Sequence, residues 1–202
     1  MRRNVERDVV VIGSCGANLA SLGFALARLG VDAPVTEDPE RVRRATHVIL
    51  PGVGAAAPAM RRLAAAGLAE VVPRLTQPVL GICLGMQLLF AGSEEDDAKC
   101  LGVIDARIRR LPQSADVPVP QMGWNQVEIV AESPLLAGVE PGSFAYFIHS
   151  YAAPLGGYTR GVTRYGLPFS AVIEHGNFFG TQFHPERSAQ FGAQVLANFL
   201  II

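Results

Sequence analysis

Three times within the first 90 residues a short apolar run ends in a glycine-rich turn and gives way to helical spacing. Val9-Val10-Val11-Ile12 runs into Gly13-Ser14, His47-Val48-Ile49-Leu50-Pro51 into Gly52-Val53-Gly54, and Val79-Leu80-Gly81-Ile82 into Cys83-Leu84-Gly85. Continuous apolar runs, unlike alternating ones, mark strands covered on both faces. Strands that alternate with helices pair in parallel. After the first turn Leu22, Leu26 and Leu29 follow helical spacing as far as Gly30. After the second, residues 55–69 read as helix with a break at Gly67, and after the third residues 86–90 do so. The expectation is an α/β fold with a mostly parallel central sheet flanked by helices. Such sheets bind ligands outside the carboxyl ends of their strands, where the turns after residues 12, 50 and 82 lie.

From about residue 103 the texture changes. Residues 103–110, 124–130 and 145–149 read as short strands between Pro- and Gly-rich turns, a small antiparallel section. Then come a strand at 170–173, a hairpin turn at His175-Gly176-Asn177, a strand at 178–183 and a terminal helix from about Ala189. The acidic run 94–97 reads as a loop. No linker, repeat or low-complexity tract divides the chain, so its 202 residues are expected to form one domain, 1–202. Seventeen basic against 18 acidic residues give a net charge of −1, which excludes a general nucleic-acid-binding footprint. Three cysteines (Cys15, Cys83 and Cys100) are too few for a disulfide scaffold, and a reducing, cytoplasmic setting follows. Residues 9–27 carry no charge and follow Arg2, Arg3 and Arg7, as in a secretory signal. Glu6 and Asp8 interrupt that basic stretch, and the polar turn around Asn18 suits a buried strand and helix better than a membrane span.

Gly81-Ile82-Cys83-Leu84-Gly85 has the form of a nucleophile elbow, here with cysteine. A tight turn from strand to helix leaves no room for neighbouring side chains, hence the glycines. It would hold the sulfur up at the sheet edge and at a helix N-terminus, which favours thiolate. The Leu84 amide would point where an oxyanion forms. Taken alone, the pentapeptide leaves a merely packed cysteine equally open. A cysteine nucleophile needs a base. His47 begins a strand, His175 sits in a turn, and His149 precedes Ser150 in a loop that could touch substrate. His184 is the strongest candidate, because in Phe183-His184-Pro185-Glu186 the residue before proline is extended. A repeat of two then brings Glu186 to the same side, where it can orient the ring. The Gly52-Val53 turn can supply a second oxyanion donor or be simply a turn. No G-K-[ST] follows it, so it is not a phosphate loop. No Cys or His pair has metal-ligand spacing.

These residues resemble the class I (triad) glutamine amidotransferases, and within them the glutaminase subunits of imidazole glycerol phosphate synthases. The resemblance runs nearly end to end: Asn18-Leu19-x-Ser21, LPGVGA (50–55), GICLGMQLLF (81–90), SEE (93–95), MGWN (122–125), HSY (149–151) and GTQFHPERS (180–188). It implies a flavodoxin-like sheet, a Cys83–His184–Glu186 triad and an oxyanion site made by Leu84 with the Gly52-Val53 loop. Gln87 and Glu95 would hold L-glutamine, with backbone from His149, Ser150 and Tyr151. No cofactor or metal is implied. The implied partner is a (β/α)₈ cyclase subunit that receives the ammonia, with Asn18, Trp124 and Arg187 expected near its interface; core packing is the alternative for Trp124 and a solvated charge for Arg187. Two stretches depart from the family pattern. Residues 13–18 replace an Asp-Tyr-Gly-type start, and Gln121 stands where a histidine commonly precedes Met-Gly-Trp-Asn. The competing readings are the glutaminase of another pathway, a non-catalytic binding module, and a thiol peptidase or γ-glutamyl hydrolase.

Overall fold

A computed structural model describes residues 7–14 and 19–202. The expected alternation runs β1 (Val9–Ile12), α1 (Leu19–Arg28), β2 (Val35–Thr36), α2 (Pro39–Arg44), β3 (His47–Gly52), α3 (Ala56–Ala65), β4 (Val79–Cys83) and α4 (Leu84–Leu88). The chain continues through β5 (Phe90–Ser93), β6 (Ile104–Arg110), β7 (Gln121–Gln126), β8 (Glu128–Ile129), β9 (Phe144–His149) and β10 (Tyr151–Ala152). It closes with β11 (Thr159–Tyr165), β12 (Leu167–His175), β13 (Phe178–Thr181) and α5 (Ala189–Phe199).

Every residue of β1, β3 and β4 is buried, as continuous apolar runs require. Their period of two sorts them into two layers. Val10, Ile12, Val48, Leu50 and Val79 meet α3 and α4 on one face. Val9, Val11, Ile49, Leu80 and Ile82 meet α1 and α5 on the other. The main sheet has the order β2-β1-β3-β4-β13-β12-β11-β8. From β2 to β13 the strands are parallel, in flavodoxin-like order with β13 as the fifth strand. β12, β11 and β8 extend it antiparallel. Two small sheets, β10-β6-β5 and the antiparallel ribbon β7-β9, stand apart from it.

Helix ends follow their local chemistry. Asp38 accepts from the Glu40 N–H at 2.9 Å to cap α2, with Pro39 in the first turn. Past α1 the chain turns at Gly30 with φ +76°. Two expectations need correction. The helix after the elbow is α4 at 84–88 rather than 86–90, because Phe90 opens β5 and pairs with β6. The strand expected at 124–130 is two strands serving different sheets: β7 pairs along its length with β9, while β8 joins β11. Val127 between them is buried, its N–H donating to the Ser143 carbonyl at 2.9 Å. The acidic run is a 3-10 turn at Glu95–Asp97. No helix among the described residues is long and apolar enough to cross a membrane.

Candidate active site

The glycines of the elbow answer to contacts with backbone. A Cβ on Gly85 would lie 1.7 Å from the Leu50 carbonyl oxygen, and one on Gly81 2.6 Å from the Met86 Cα. Across the gap, a Cβ on Gly52 would lie 2.9 Å from the Gly85 nitrogen. The end of β3 and the start of α4 are thus jammed together, and the carboxyl ends of β3 and β4 form one wall. Cys83 sits between them at φ +54°, ψ −112°. That region is sparsely populated for any residue with a Cβ and costs about 1–3 kcal/mol. The expected help from a helix N-terminus is small, since α4 is only five residues long. The Cys83 Sγ has two polar neighbours at 3.8 Å, the Ile148 carbonyl and the Gln182 Nε2.

His184 and Glu186 come together, with Nδ1 to Oε1 at 2.9 Å. The path differs from the expected one. His184 is extended at φ −94°, ψ 101°, but Pro185–Arg187 then form a 3-10 turn that swings the carboxylate back under the ring. The loop is pinned to β9. The His184 N–H donates to the Tyr146 carbonyl at 3.0 Å, while the Ser188 Oγ accepts from the Tyr146 N–H at 2.9 Å and donates to the His184 carbonyl at 2.7 Å. Burial pushes the imidazole down, but the Cys83 sulfur and the Glu186 carboxylate outweigh it and raise it to about 10. Nε2 is buried and forms no hydrogen bond of normal geometry, so it is available to the reacting atoms.

A cleft of about 270 Å³ opens over this wall. It is lined by Val53, Gly54, Cys83, Leu84 and Gln87, together with Glu95, Pro120, Ile148, His149, Ser150, Tyr151 and His184. Both amide protons of Gln87 are committed, to the Tyr151 carbonyl at 2.8 Å and the Gln182 Oε1 at 3.0 Å, which leaves its own oxygen as an acceptor. His149 Nδ1 also donates to the Tyr151 carbonyl, at 2.8 Å, so both lone pairs of that oxygen are filled. Burial depresses His149 to about 4. It is therefore a neutral ring whose Nε2 is buried and unpartnered. Glu95 Oε2 accepts from the Ala56 N–H at 2.8 Å at the start of α3, and burial raises its carboxyl.

A second cavity, of about 180 Å³, shares Val53, Ile148 and His184 with the first and reaches Leu22, Glu186 and Arg187. Beside it the outward face of the β7–β9 ribbon is exposed: Trp124 pairs with Tyr146, Met122 with Ile148 and Gln126 with Phe144. Trp124 meets Tyr146 edge-on at 6.0 Å, and the Arg187 guanidinium lies 4.2 Å over the same ring. Trp124 is 53% exposed, so core packing does not explain it. Asn18 and Cys15 lie outside the described residues. Gln121 pairs with His149 across the ribbon and is buried, its Oε1 unpartnered. His47 packs edge-on against Phe199 at the far end of β3, and His175, expected in the hairpin turn, is the exposed last residue of β12. Cys100 is buried and pushed up to about 11 by that burial, which makes it inert. Sequence reasoning missed Gln182. It stands inside a recognised motif, but nothing in its local pattern marks it. Among the described residues no group of three or more His, Cys, Asp or Glu could hold a metal ion.

An elbow cysteine facing a His–Glu pair at the carboxyl edge of a parallel sheet defines a class, and the whole chain matches it. The chain belongs to the class I glutamine amidotransferases, whose family model matches residues 11–202. It is 47% identical over 202 residues to the imidazole glycerol phosphate synthase subunit HisH of Vibrio cholerae, covering 97% of this chain and 99% of that one. The HisH subunit of Xanthomonas euvesicatoria is 50% identical over 193 residues, covering 96% of each. Among solved structures, a glutamine amidotransferase superposes with TM-score 0.73 at 20% identity, covering 96% of this chain and 97% of that one. PurLQS from Thermotoga maritima superposes with TM-score 0.69 at 19% identity, over 96% and 97%. At those identities the structures establish the fold.

Proposed function

We propose that this chain is the glutaminase subunit of an imidazole glycerol phosphate synthase, hydrolysing L-glutamine to glutamate and ammonia in histidine biosynthesis. The observation that carries the chemistry is the His184–Glu186 pair, 2.9 Å apart, with Cys83 and His184 lining the same cleft. A single domain over residues 1–202 performs it, in the cytoplasm, without cofactor or metal.

The Cys83 thiolate attacks the side-chain amide carbon. The oxyanion is received by the Leu84 N–H and the Gly52-Val53 loop, one such donor contributing about 10²–10³ in rate. His184, held as imidazolium by Glu186, donates its Nε2 proton to the departing nitrogen and releases ammonia. It then takes a proton from water as that water attacks the thioester, and glutamate leaves with the thiol regenerated. The free acceptor of Gln87 and the carboxylate of Glu95 suit the substrate α-ammonium. The neutral His149 and its neighbours Ser150 and Tyr151 shape the end of the cleft. Ammonia passes to a cyclase subunit that forms imidazole glycerol phosphate and an aminoimidazole carboxamide ribotide. That partner covers the face bearing Trp124 and Arg187; the contact expected at Asn18 lies outside the described residues.

Cys83→Ala in the complex should abolish glutamine-dependent synthesis and leave synthesis from ammonium salts intact. Retained use of glutamine would remove Cys83 as nucleophile, and failure to assemble with the cyclase would redirect the reading to another pathway's glutaminase. Because His184 holds its proton to about 10, glutamine turnover should persist well into alkaline pH. Glu186→Gln should bring the alkaline limb down, since an amide orients the ring but does not stabilise its charge.

A further inference from the structure

We propose that Gln182 is a positioning residue for the nucleophile: its buried amide donates to the Cys83 sulfur and is locked in that orientation by Gln87. The inference rests on the reading of Cys83 as the nucleophile. The orientation follows from one fixed acceptor. The Tyr151 carbonyl can only accept, so the Gln87 atom 2.8 Å from it is the amide nitrogen. That nitrogen also lies 3.0 Å from Gln182, whose facing atom must therefore be its oxygen. The Gln182 amide nitrogen is then the atom 3.8 Å from Sγ. The side chain is wholly buried and its backbone N–H is tied to the Ala171 carbonyl at 2.9 Å, so the motion left to it is a flip of the amide, which the bond from Gln87 opposes.

A donor beside sulfur has a definite sign. Hydrogen bonds to an ionised acceptor are about twice as strong as neutral ones, so the amide favours thiolate over thiol. It opposes the Ile148 carbonyl, also at 3.8 Å, which accepts from the thiol and favours it. The titratable groups around Cys83 are His184 with Glu186, His149 at the end of β9, and Glu95 in the same cleft. Gln182 does not titrate, so no pH change removes its contribution. Because Gln87 lines the cleft, one hydrogen bond links a wall of the substrate site to the residue that holds the sulfur.

The test is alkylation of the full chain by iodoacetamide, followed at the Cys83 peptide by mass spectrometry from acid to alkaline pH. Gln182→Met keeps the length and removes the donor. It should displace the profile upward by about one pH unit, which is about tenfold slower labelling on the acid side, with the alkaline plateau unchanged. Gln87→Met frees Gln182 to turn and should displace it in the same direction by less. A role in packing alone would lower the plateau or the melting temperature and leave the midpoint in place, and that result overturns the proposal. Should Gln182→Met fail to fold, a Gln87→Met profile superimposed on the wild type overturns it equally. If wild-type Cys83 labels no faster than Cys100, the nucleophile reading itself fails; a reactive Cys83 with an unmoved midpoint removes only Gln182.

Discussion

The elbow wall and the β7–β9 ribbon border the same cleft and are built on opposite principles. In the wall, backbone packs on backbone. The glycines at 52, 81 and 85 have no space for a Cβ, and Cys83 is held in a strained conformation by its surroundings. In the ribbon, backbone pairs regularly and the side chains do the differentiating. Ala145, Phe147 and His149 point inward, while Phe144, Tyr146, Met122 and Trp124 point outward. Chemistry needs atoms fixed to well under an ångström, and the wall supplies that by leaving nothing free to move. The ribbon instead displays aromatic side chains, with Arg187 over one of them, the residue types enriched at interface hot spots.

The sharpest way to break this contrast is to place one carbon in the wall. Gly85→Ala drives a Cβ to 1.7 Å from the Leu50 carbonyl oxygen, so the backbone must move. The expected loss is about 3 kcal/mol of stability and at least ~10² in glutamate release, read by chemical denaturation and a glutaminase assay. Wild-type behaviour would mean the wall is soft. On the ribbon side, Arg187→Glu replaces the cation over Tyr146. It should weaken association with the cyclase by about 2 kcal/mol, roughly thirtyfold, and let glutamate formation outrun synthesis, with the fold of the isolated subunit unchanged. A normal complex with one glutamate per product would deny the ribbon its role.

The smallest effect concerns His149, which belongs to the ribbon yet faces the cleft. Its folded value of about 4 lies below the ordinary 6.5, so the unfolded chain binds the proton more readily. The stability it contributes is therefore complete above pH 6.5 and is lost as pH falls toward 4. His149→Asn should remove roughly 1–2 kcal/mol of the decline between pH 7 and pH 5, measured by urea denaturation at both. Equal acid sensitivity in the two proteins would show that the ring is not held neutral.

The wall was legible from sequence because its rules are local. An apolar run ending in a Gly-rich turn recurs, at 81–85 the glycines frame a cysteine, and the pattern requires only that the turn be tight. The pairing of His184 with Glu186 was legible for the same reason, although a 3-10 turn delivers it instead of an extended repeat. The ribbon was less so. Strand β7 was expected three residues too late, and the break at Val127 was missed, because both depend on which distant strand each segment pairs with. Phe90 likewise leaves the helical pattern for a partner in β6, some 14 residues on. Gln182 was invisible for a plainer reason: a buried amide has no sequence signature, and only its contacts with Gln87 and Cys83 give it meaning.

Tyr146 joins the two regions by a division within one residue. Its ring carries Trp124 and Arg187 on the outside, while its N–H and C=O hold Ser188 and His184 on the inside. Peptide groups are common to nearly every amino acid, so the seat of the histidine places almost no demand on which side chain occupies position 146. The outer face can therefore drift, residue by residue, while the histidine stays where it is. Proline alone, which lacks the N–H that Ser188 accepts, would break that licence.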